Sequence, residues 1–290
     1  MKTNIPTLAV DFDQFDPKNI DVWEEYIPIG NEKERLTMAI TSANLPYLIE
    51  SEKGQGKTLL THTICKENNV ALVTGASDGI GAEFVKILAG RGYDLILVAR
   101  REEKLNELAI RLNDEFGVKC TVMAADLSDP NAAQNLFQRI QDRGLKVNFL
   151  INNAGLLHNG FFTKLSLEAQ EKMIQVNVLA LTALTHLYAV NMSSNGGGHI
   201  LNVASLAGWM AIPNQNVYAA SKAYVVSFSQ ALSNEMIAAN SGVQVTALCP
   251  GYTATKMMDN PDQGATLRIP SGMMMSAKDV AEIGIKACFA

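Results

Sequence analysis

The stretch VALVTGASDGIG, residues 70–81, joins a short apolar run to a glycine-rich loop. The run is rich in β-branched residues and predicts a buried strand, and the segment after it has helical periodicity. Glycines spaced Gly75-x-x-x-Gly79-x-Gly81 permit a tight turn, and the following helix offers its N–H groups to a pyrophosphate. We therefore expect a dinucleotide site, with a plain strand–helix turn as the alternative. The expected contact residues are Gly75, Ser77, Asp78, Gly79, Ile80 and Gly81.

Strand-like and helix-like segments alternate from residue 70 onward. The strand candidates are residues 70–75, 94–100, 120–126, 147–153, 199–205 and 243–250. None alternates cleanly between apolar and polar residues, so we expect each to be covered on both faces, as in a parallel sheet. The helical candidates are residues 79–92, 101–117, 129–144, 173–192 and 216–237. This order predicts an α/β fold with a doubly wound parallel sheet, the Rossmann fold.

Composition and charge argue against several classes of protein. The 290-residue chain has a net charge of −5, so it carries no electrostatic footprint for nucleic acid. Its four scattered cysteines include no CxxC pair, which indicates free thiols in a reducing compartment and no metal site. The N-terminus lacks the apolar segment of a secretory signal, and polar residues within the apolar run at 173–192 favour a buried helix over a membrane span. We expect a soluble, cytoplasmic protein with no membrane and no nucleic-acid partner.

The end of the second predicted strand bears on which dinucleotide binds. An acid there would bind the ribose 2′-OH of NAD, whereas a basic residue suits the 2′-phosphate of NADP. The chain reads Arg100-Arg101, with no acid before Glu102. NADP(H) is therefore favoured over NAD(H), and two arginines at a solvated helix start are the alternative. Asp78 weighs against NADP(H), because its carboxylate would lie near the phosphate.

Further motifs make the chain similar to the short-chain dehydrogenases/reductases over residues 70–286. They are TGASDGIG at 74–81, NNAG at 152–155, Asn177, Ser205, YAASK at 218–222 and PGYTAT at 250–255. The resemblance implies that Ser205, Tyr218, Lys222 and Asn177 are catalytic, with Asn177 in a proton relay beside Lys222; a satisfied core amide is the alternative for Asn177. It also implies cofactor contacts at Asp126, Leu127, Asn153, Ala154, Gly155, Tyr218, Lys222, Pro250, Gly251, Thr253 and Thr255.

The chemistry of Tyr218 and Lys222 can also be argued from the residues alone. They stand at i and i+4 on a predicted helix, so both side chains share one face. A phenol, with a pKa of about 10, is a poor base at neutral pH. A neighbouring ammonium and a cationic nicotinamide should lower the pKa of Tyr218 toward the working pH. Ser205, at the end of a predicted strand, could hydrogen-bond the substrate oxygen as charge develops on it.

Residues 1–69 depart from the family pattern, which usually begins within a few residues of the first strand. SEKGQGKT at 51–58 resembles a truncated P-loop segment of AAA-type ATPases. Ser51 replaces the first glycine of that loop, and no strand ending in an acid for Mg²⁺ follows before residue 70. We expect an N-terminal extension at 1–69 and a Rossmann-fold dehydrogenase/reductase domain at 70–290.

The C-terminal end departs as well. The family usually carries a last strand after a helix like that at 277–289, and the chain stops at Ala290, so this strand is apparently missing. A homo-oligomer, dimer or tetramer, is expected if the shortened C-terminus permits it.

These patterns predict an NADP(H)-preferring oxidoreductase that interconverts a carbonyl and a secondary alcohol by hydride transfer. Apolar loops at 205–213 and 257–275 suit a hydrophobic small molecule, such as an apolar ketone or a 3-oxoacyl compound. Two alternatives stay open: a catalytically impaired binding protein with the same fold, and an ATP-binding protein that uses Lys57.

Overall fold

The computed structural model describes residues 69–255, 257 and 274–289, together with two short strands at 7–9 and 48–50. The chain divides into two units, Met1–Asn69 and Val70–Ala290. In the first unit, β1 (Thr7–Ala9) pairs in parallel with β2 (Leu48–Glu50). The P-loop-like stretch at 51–58, with Lys57, lies outside the described residues.

The second unit is built around a parallel sheet of six strands. They are β3 (Val70–Thr74), β4 (Asp94–Ala99), β5 (Cys120–Ala124), β6 (Phe149–Asn152), β7 (Gly198–Val203) and β8 (Val243–Leu248). Their order is β5-β4-β3-β6-β7-β8, and every neighbouring pair is parallel. The order reverses at β3, which pairs with β4 on one side and β6 on the other. Ligands of doubly wound sheets bind at such a switch point, beyond the carboxyl ends of the strands.

Helices connect these strands. They are α1 (Gly79–Gly90), α2 (Glu102–Phe116), α3 (Ala132–Gln141), α4 (Leu167–Ile174), α5 (Leu181–Ser194), α6 (Asn216–Ala238) and α7 (Ala277–Cys288). A π-helical segment, Gln175–Ala180, joins α4 to α5, and a 3₁₀ turn, Leu206–Trp209, follows β7. A short parallel pair, β9 (Thr253–Ala254) and β10 (Met275–Ser276), precedes α7.

Two apolar layers enclose the sheet, because successive residues of a strand point to opposite faces. Val73 lies in the layer formed with α1, α2 and α7, whereas its neighbour Leu72 lies in the layer formed with α3 and α5. Both side chains are fully buried. The predicted fold class is therefore confirmed: an α/β fold with a doubly wound parallel sheet. In the part of the chain that the structure describes, β8 pairs with β7 alone and forms one edge of this sheet.

The helix predicted at 173–192 is longer than its apolar run. It begins at Leu167, where the Ser166 hydroxyl caps it by accepting a hydrogen bond from the N–H of Ala169 at 3.2 Å. Among the described residues, the stretch Leu167–Ser194 is long and apolar enough to cross a membrane by length and composition, and half of its most apolar window is buried. A core helix meets the same criteria, and Tyr188 within it is fully buried, with its ring 5.1 Å from that of Phe137.

Candidate active site

The glycine-rich loop lies between the end of β3 and the start of α1, at the switch point of the sheet. Gly75 and Gly79 have φ angles of +66° and +56°, which favour glycine. A Cβ atom on Gly75 would come within 2.8 Å of Asn153 Nδ2, so no side chain fits there. The Asp78 carboxylate caps α1 by accepting a hydrogen bond from the N–H of Gly79 at 3.0 Å. Glycines that let a ligand approach the backbone, at the start of a helix, fit the pyrophosphate of a dinucleotide.

The second asparagine of NNAG fastens this loop to β6. Asn153 donates from Nδ2 to the carbonyl oxygens of Thr74, at 3.0 Å, and Gly75, at 3.3 Å. The Thr74 hydroxyl accepts hydrogen bonds from the N–H groups of Asn153 and Ala154, both at 3.0 Å. The predicted cofactor contacts of NNAG thus lie directly against the glycine loop.

A group of charged side chains borders the loop where β4 ends. Arg101 donates from Nη2 to the Ser77 hydroxyl at 3.2 Å, and the same nitrogen lies 3.7 Å from the Asp78 carboxylate. Lys104 Nζ lies 3.9 Å from the same carboxylate oxygen. We refer to Ser77, Asp78, Arg101 and Lys104 as the ribose cluster. Lys104 was not among the predicted site residues, although its place three residues after Arg101 on a predicted helix puts the two on one face.

Asp126, with an implied adenine contact, follows β5. It accepts hydrogen bonds from the N–H of Ser128 at 3.0 Å and from its hydroxyl at 2.8 Å. Partial burial opposes ionisation of Asp126, but the Ser128 hydrogen bonds and the charge of Arg100 outweigh it, so the pKa of Asp126 is lowered. The neighbouring Leu127 is buried.

Ser205, Tyr218 and Lys222 converge beyond the carboxyl end of β7. Ser205 caps the 3₁₀ turn by accepting a hydrogen bond from the N–H of Ala207 at 3.1 Å, and its hydroxyl is close enough to the Tyr218 phenol to lower the pKa of that phenol. Lys222, one turn along α6, is buried, and its Nζ lies 5.8 Å from the centre of the Tyr218 ring. The structure thus brings together the three side chains that the sequence predicts to share the chemistry.

The backbone of β7 positions the Lys222 ammonium through a hydrogen bond. Its Nζ donates to the carbonyl oxygen of Val203, the last residue of β7, at 2.7 Å. The NNAG backbone passes close to this ammonium, since a Cβ atom on Gly155 would be in ordinary contact with Lys222 Nζ at 3.6 Å and with Asn177 Oδ1 at 3.5 Å. Three predicted site residues, Gly155, Asn177 and Lys222, are therefore neighbours.

Asn177 lies in the π-helical segment and is fully buried. Its Oδ1 accepts from the N–H of Leu156 at 2.8 Å, and its Nδ2 donates to the Leu156 carbonyl at 2.9 Å. Nδ2 also donates to the Ser221 hydroxyl at 3.1 Å, and Ser221 donates to the Tyr218 carbonyl at 2.7 Å. The side chain is thus a satisfied buried amide that connects NNAG to the first turn of α6, and its role in a proton relay stays a prediction. The contact of Ser221, inside the YAASK motif, was missed.

The pKa of Tyr218 differs from the expectation. Burial raises it, and the hydrogen bond from Ser205 lowers it only in part. Burial also lowers the pKa of Lys222 to about 8. The expectation of a lowered pKa rested on the neighbouring ammonium together with a cationic nicotinamide. In the folded chain, desolvation is the larger effect on both groups, because each charged form loses contact with water.

The chain after β8 returns to the glycine loop. Pro250 and Gly251 begin this segment, and Thr253, which is buried, donates to the Gly251 carbonyl at 3.1 Å. Thr255 lies beside Gly79, since a Cβ atom on that glycine would meet Thr255 Cγ2 at 3.2 Å. The segment therefore faces the same loop as the residues of NNAG. Residues 258–273 of the predicted flap lie outside the described part of the chain.

An apolar cavity lies beside the 3₁₀ turn that Ser205 caps. It has a volume of about 620 Å³ and lies between the 3₁₀ turn, the residues after it and the first turns of α6. Trp209 and Met210 line it and are 60% and 59% exposed, so large apolar surfaces face solvent here. Neighbouring exposed apolar side chains are a common feature of surfaces that bind an apolar ligand or another protein.

A glycine cradle at the switch point of a doubly wound sheet, with a serine, a tyrosine and a buried lysine beside it, defines a dinucleotide-dependent oxidoreductase. The family model described as short chain dehydrogenase matches residues 69–265. The chain belongs to this family and is an NAD(P)-dependent oxidoreductase.

Similar proteins share the domain over about three quarters of the chain. An uncharacterized oxidoreductase of Staphylococcus saprophyticus is 33% identical over 221 residues, which cover 76% of this chain and 91% of that protein. The very-long-chain 3-oxoacyl-CoA reductase of Anas platyrhynchos is 35% identical, and the match covers 64% of this chain and 60% of that reductase. Among solved structures, a short-chain dehydrogenase from Sphingobium yanoikuyae in complex with NADPH is 34% identical with a TM-score of 0.69, and the match covers 76% of this chain and 85% of that one.

Proposed function

We propose that this oxidoreductase prefers NADP(H) and interconverts an apolar ketone, or a 3-oxoacyl compound, with its secondary alcohol. The observation that carries this proposal is the convergence of Ser205, Tyr218 and Lys222 beside the glycine loop. A hydroxyl that lies close enough to a phenol to lower its pKa forms with it a pair of groups to which a carbonyl oxygen can bind.

Each of these residues has a separate role in the proposed reaction. The bound nicotinamide would supply or accept the hydride. Ser205 would hold the substrate oxygen, and Tyr218 would give that oxygen its proton during reduction. A phenol with a raised pKa keeps its proton at neutral pH, which suits the direction of reduction. Lys222, with a pKa of about 8, is still a cation at pH 7 and stabilises the phenolate that remains.

The preference for NADP(H) rests on the ribose cluster. Arg101 hydrogen-bonds the Ser77 hydroxyl, and Arg101 and Lys104 both lie within 4 Å of the Asp78 carboxylate, so two positive charges stand near the end of β4, where a 2′-phosphate would lie. The similarity to a dehydrogenase that binds NADPH supports the same choice.

The substrate class rests on the apolar cavity lined by Trp209 and Met210. The similarity to a very-long-chain 3-oxoacyl-CoA reductase, of which this chain spans 60%, supports a substrate with a large apolar part.

Replacement of Tyr218 by Phe tests the reaction. We expect a panel of apolar ketones to be reduced with NADPH by the wild type, and Tyr218→Phe to lower kcat at least about 100-fold, because the proton donor is lost. The affinity for NADPH, measured by fluorescence titration, should stay close to that of the wild type. Tyr224→Phe is the matched control, since its phenol lies on the same helix but pairs with the Thr182 hydroxyl at 2.9 Å. Turnover retained by Tyr218→Phe would place the proton donor elsewhere.

A further inference from the structure

Asp78 is an unexpected anion in a site proposed to bind a phosphate. The inference drawn from it rests on the proposed use of NADP(H). Its carboxylate lies 3.7 Å from Arg101 and 3.9 Å from Lys104, so both cations of the ribose cluster face the same oxygen. The other carboxylate oxygen caps α1 through the N–H of Gly79. The side chain is one third exposed, which leaves the cluster open to a ligand from solvent.

The charge and the cap of Asp78 are separable functions. An asparagine serves as a helix N-cap about as well as an aspartate does, because the cap requires only an oxygen acceptor. The negative charge does something else: it neutralises part of the positive potential of Arg101 and Lys104. A 2′-phosphate that binds these cations must share them with Asp78, whereas a 2′-hydroxyl carries no charge and is not repelled.

We propose that Asp78 is a specificity-determining residue that moderates the preference for NADP(H), by competing with the 2′-phosphate for Arg101 and Lys104. Lys104 has the opposite effect, because its positive charge contributes to the affinity for the 2′-phosphate of NADP(H) and not for the 2′-hydroxyl of NAD(H). The pair sets how strongly the enzyme discriminates between the two dinucleotides. Removal of the Asp78 carboxylate increases the preference for NADP(H) over NAD(H), and removal of the Lys104 ammonium decreases it.

The experiment measures dissociation constants for NADPH and NADH by fluorescence titration at one fixed ionic strength. The variants are Asp78→Asn, which keeps the cap and removes the charge, and Lys104→Met, which keeps the length of the side chain. Because it removes one charge from a site screened by water and salt, Asp78→Asn should raise the NADPH-over-NADH affinity ratio about three- to tenfold. Lys104→Met should lower the same ratio by a similar factor.

Asp114→Asn is the matched control, because it removes one carboxylate from α2 about 15 Å beyond Lys104 and should leave the ratio unchanged.

The outcomes separate this inference from the proposed function. A wild type that binds NADH more tightly than NADPH overturns the proposed cofactor preference, and the inference is still judged by the direction in which Asp78→Asn moves the ratio. A ratio that Asp78→Asn leaves at the value of the Asp114→Asn control overturns the inference. A loss of NADH affinity in Asp78→Asn also overturns it, because Asp78 would then bind the ribose hydroxyl. Thermal melting of each variant checks the fold, and Asp78→Ser, which also retains a cap, replaces any variant that fails to fold.

Discussion

Lys222 is a cation that folding removes from water. It is 4% exposed, and burial lowers its pKa from 10.5 to about 8. Between these two values the unfolded chain holds a proton that the folded chain has released, so the free energy of unfolding rises with pH. Below pH 8 the ammonium is charged in both states, and its burial costs stability throughout.

We predict that Lys222→Met removes this dependence on pH. From pH 7 to 9.5 the wild type should gain about 1–2 kcal/mol relative to the variant, measured as the difference between their denaturation curves at each pH. The comparison is needed because the thiols of Cys120 and Cys288, with pKa values raised to about 11 by burial, act in the opposite direction in both proteins. A constant difference between the two proteins would mean that Lys222 titrates near its ordinary value.

For individual residues, the sequence predicted which side chains belong to the site better than it predicted their contacts. Tyr218 and Lys222 were predictable because the helical period fixes their shared face. Asn177 was conspicuous as an amide in an apolar run. Its hydrogen bond to Ser221 was not predictable, because it joins positions 44 residues apart on different helices. The rise that burial causes in the pKa of Tyr218 was not predictable, since burial cannot be measured from neighbours in the sequence.

Among the elements, the 3₁₀ turn after β7 controls where Ser205 stands. Gly208 packs against the backbone of α6: a Cβ atom there would come within 2.8 Å of the carbonyl carbon and oxygen of Lys222. Its N–H also donates to the Ser205 carbonyl at 3.0 Å. The turn can lie this close to the helix of Tyr218 and Lys222 only because the position carries no side chain.

We predict that Gly208→Ala lowers kcat at least about tenfold, because the turn must shift and carries Ser205 away from Tyr218. Overpacking of this kind should also cost about 1–3 kcal/mol of stability, measured by denaturation. Gly90→Ala is the control. Gly90 is the last residue of α1, and a Cβ atom there would make an ordinary contact with Phe116 at 3.5 Å. That variant should keep full activity and gain up to about 1 kcal/mol. Equal effects of both alanines would argue against the role of the turn.

The elements themselves were largely predictable, because each strand is a short apolar run and each helix has a matching period. The exceptions lie where polar residues interrupt the core. Asn152 donates to the Thr185 hydroxyl and to Asn202 Oδ1, both at 2.9 Å, and Asn202 donates to the Ser229 hydroxyl at 3.0 Å. These four buried residues join β6 and β7 to α5 and α6, and their pairing was not predictable, because the partners lie far apart in the sequence.

For the whole molecule, we propose self-association through the long helices. The stretch Leu167–Ser194 exposes large apolar side chains, among them Ile174, Leu179 and Val190, at 42%, 54% and 56%. Large apolar side chains exposed on a long helix are typical of an interface between subunits.

We predict that Leu179→Glu converts a dimer or tetramer into a monomer, because a buried charge without a partner is costly. The measurement is sedimentation velocity at several protein concentrations. Ile110→Glu is the matched control, since Ile110 is 63% exposed on α2 and should leave the assembly unchanged. A monomeric wild type, or dissociation by both variants, would contradict an interface on this face.

The central position of β3 also bears on the order in which the chain can fold. This strand is the first of its sheet to be synthesised, yet its pairing with β6 and the hydrogen bonds of Thr74 to Asn153 and Ala154 span nearly 80 residues. Closing a segment of that length costs entropy before any contact compensates for it. The halves of the active site therefore meet late, so recovery of turnover during refolding should lag behind recovery of helical circular dichroism.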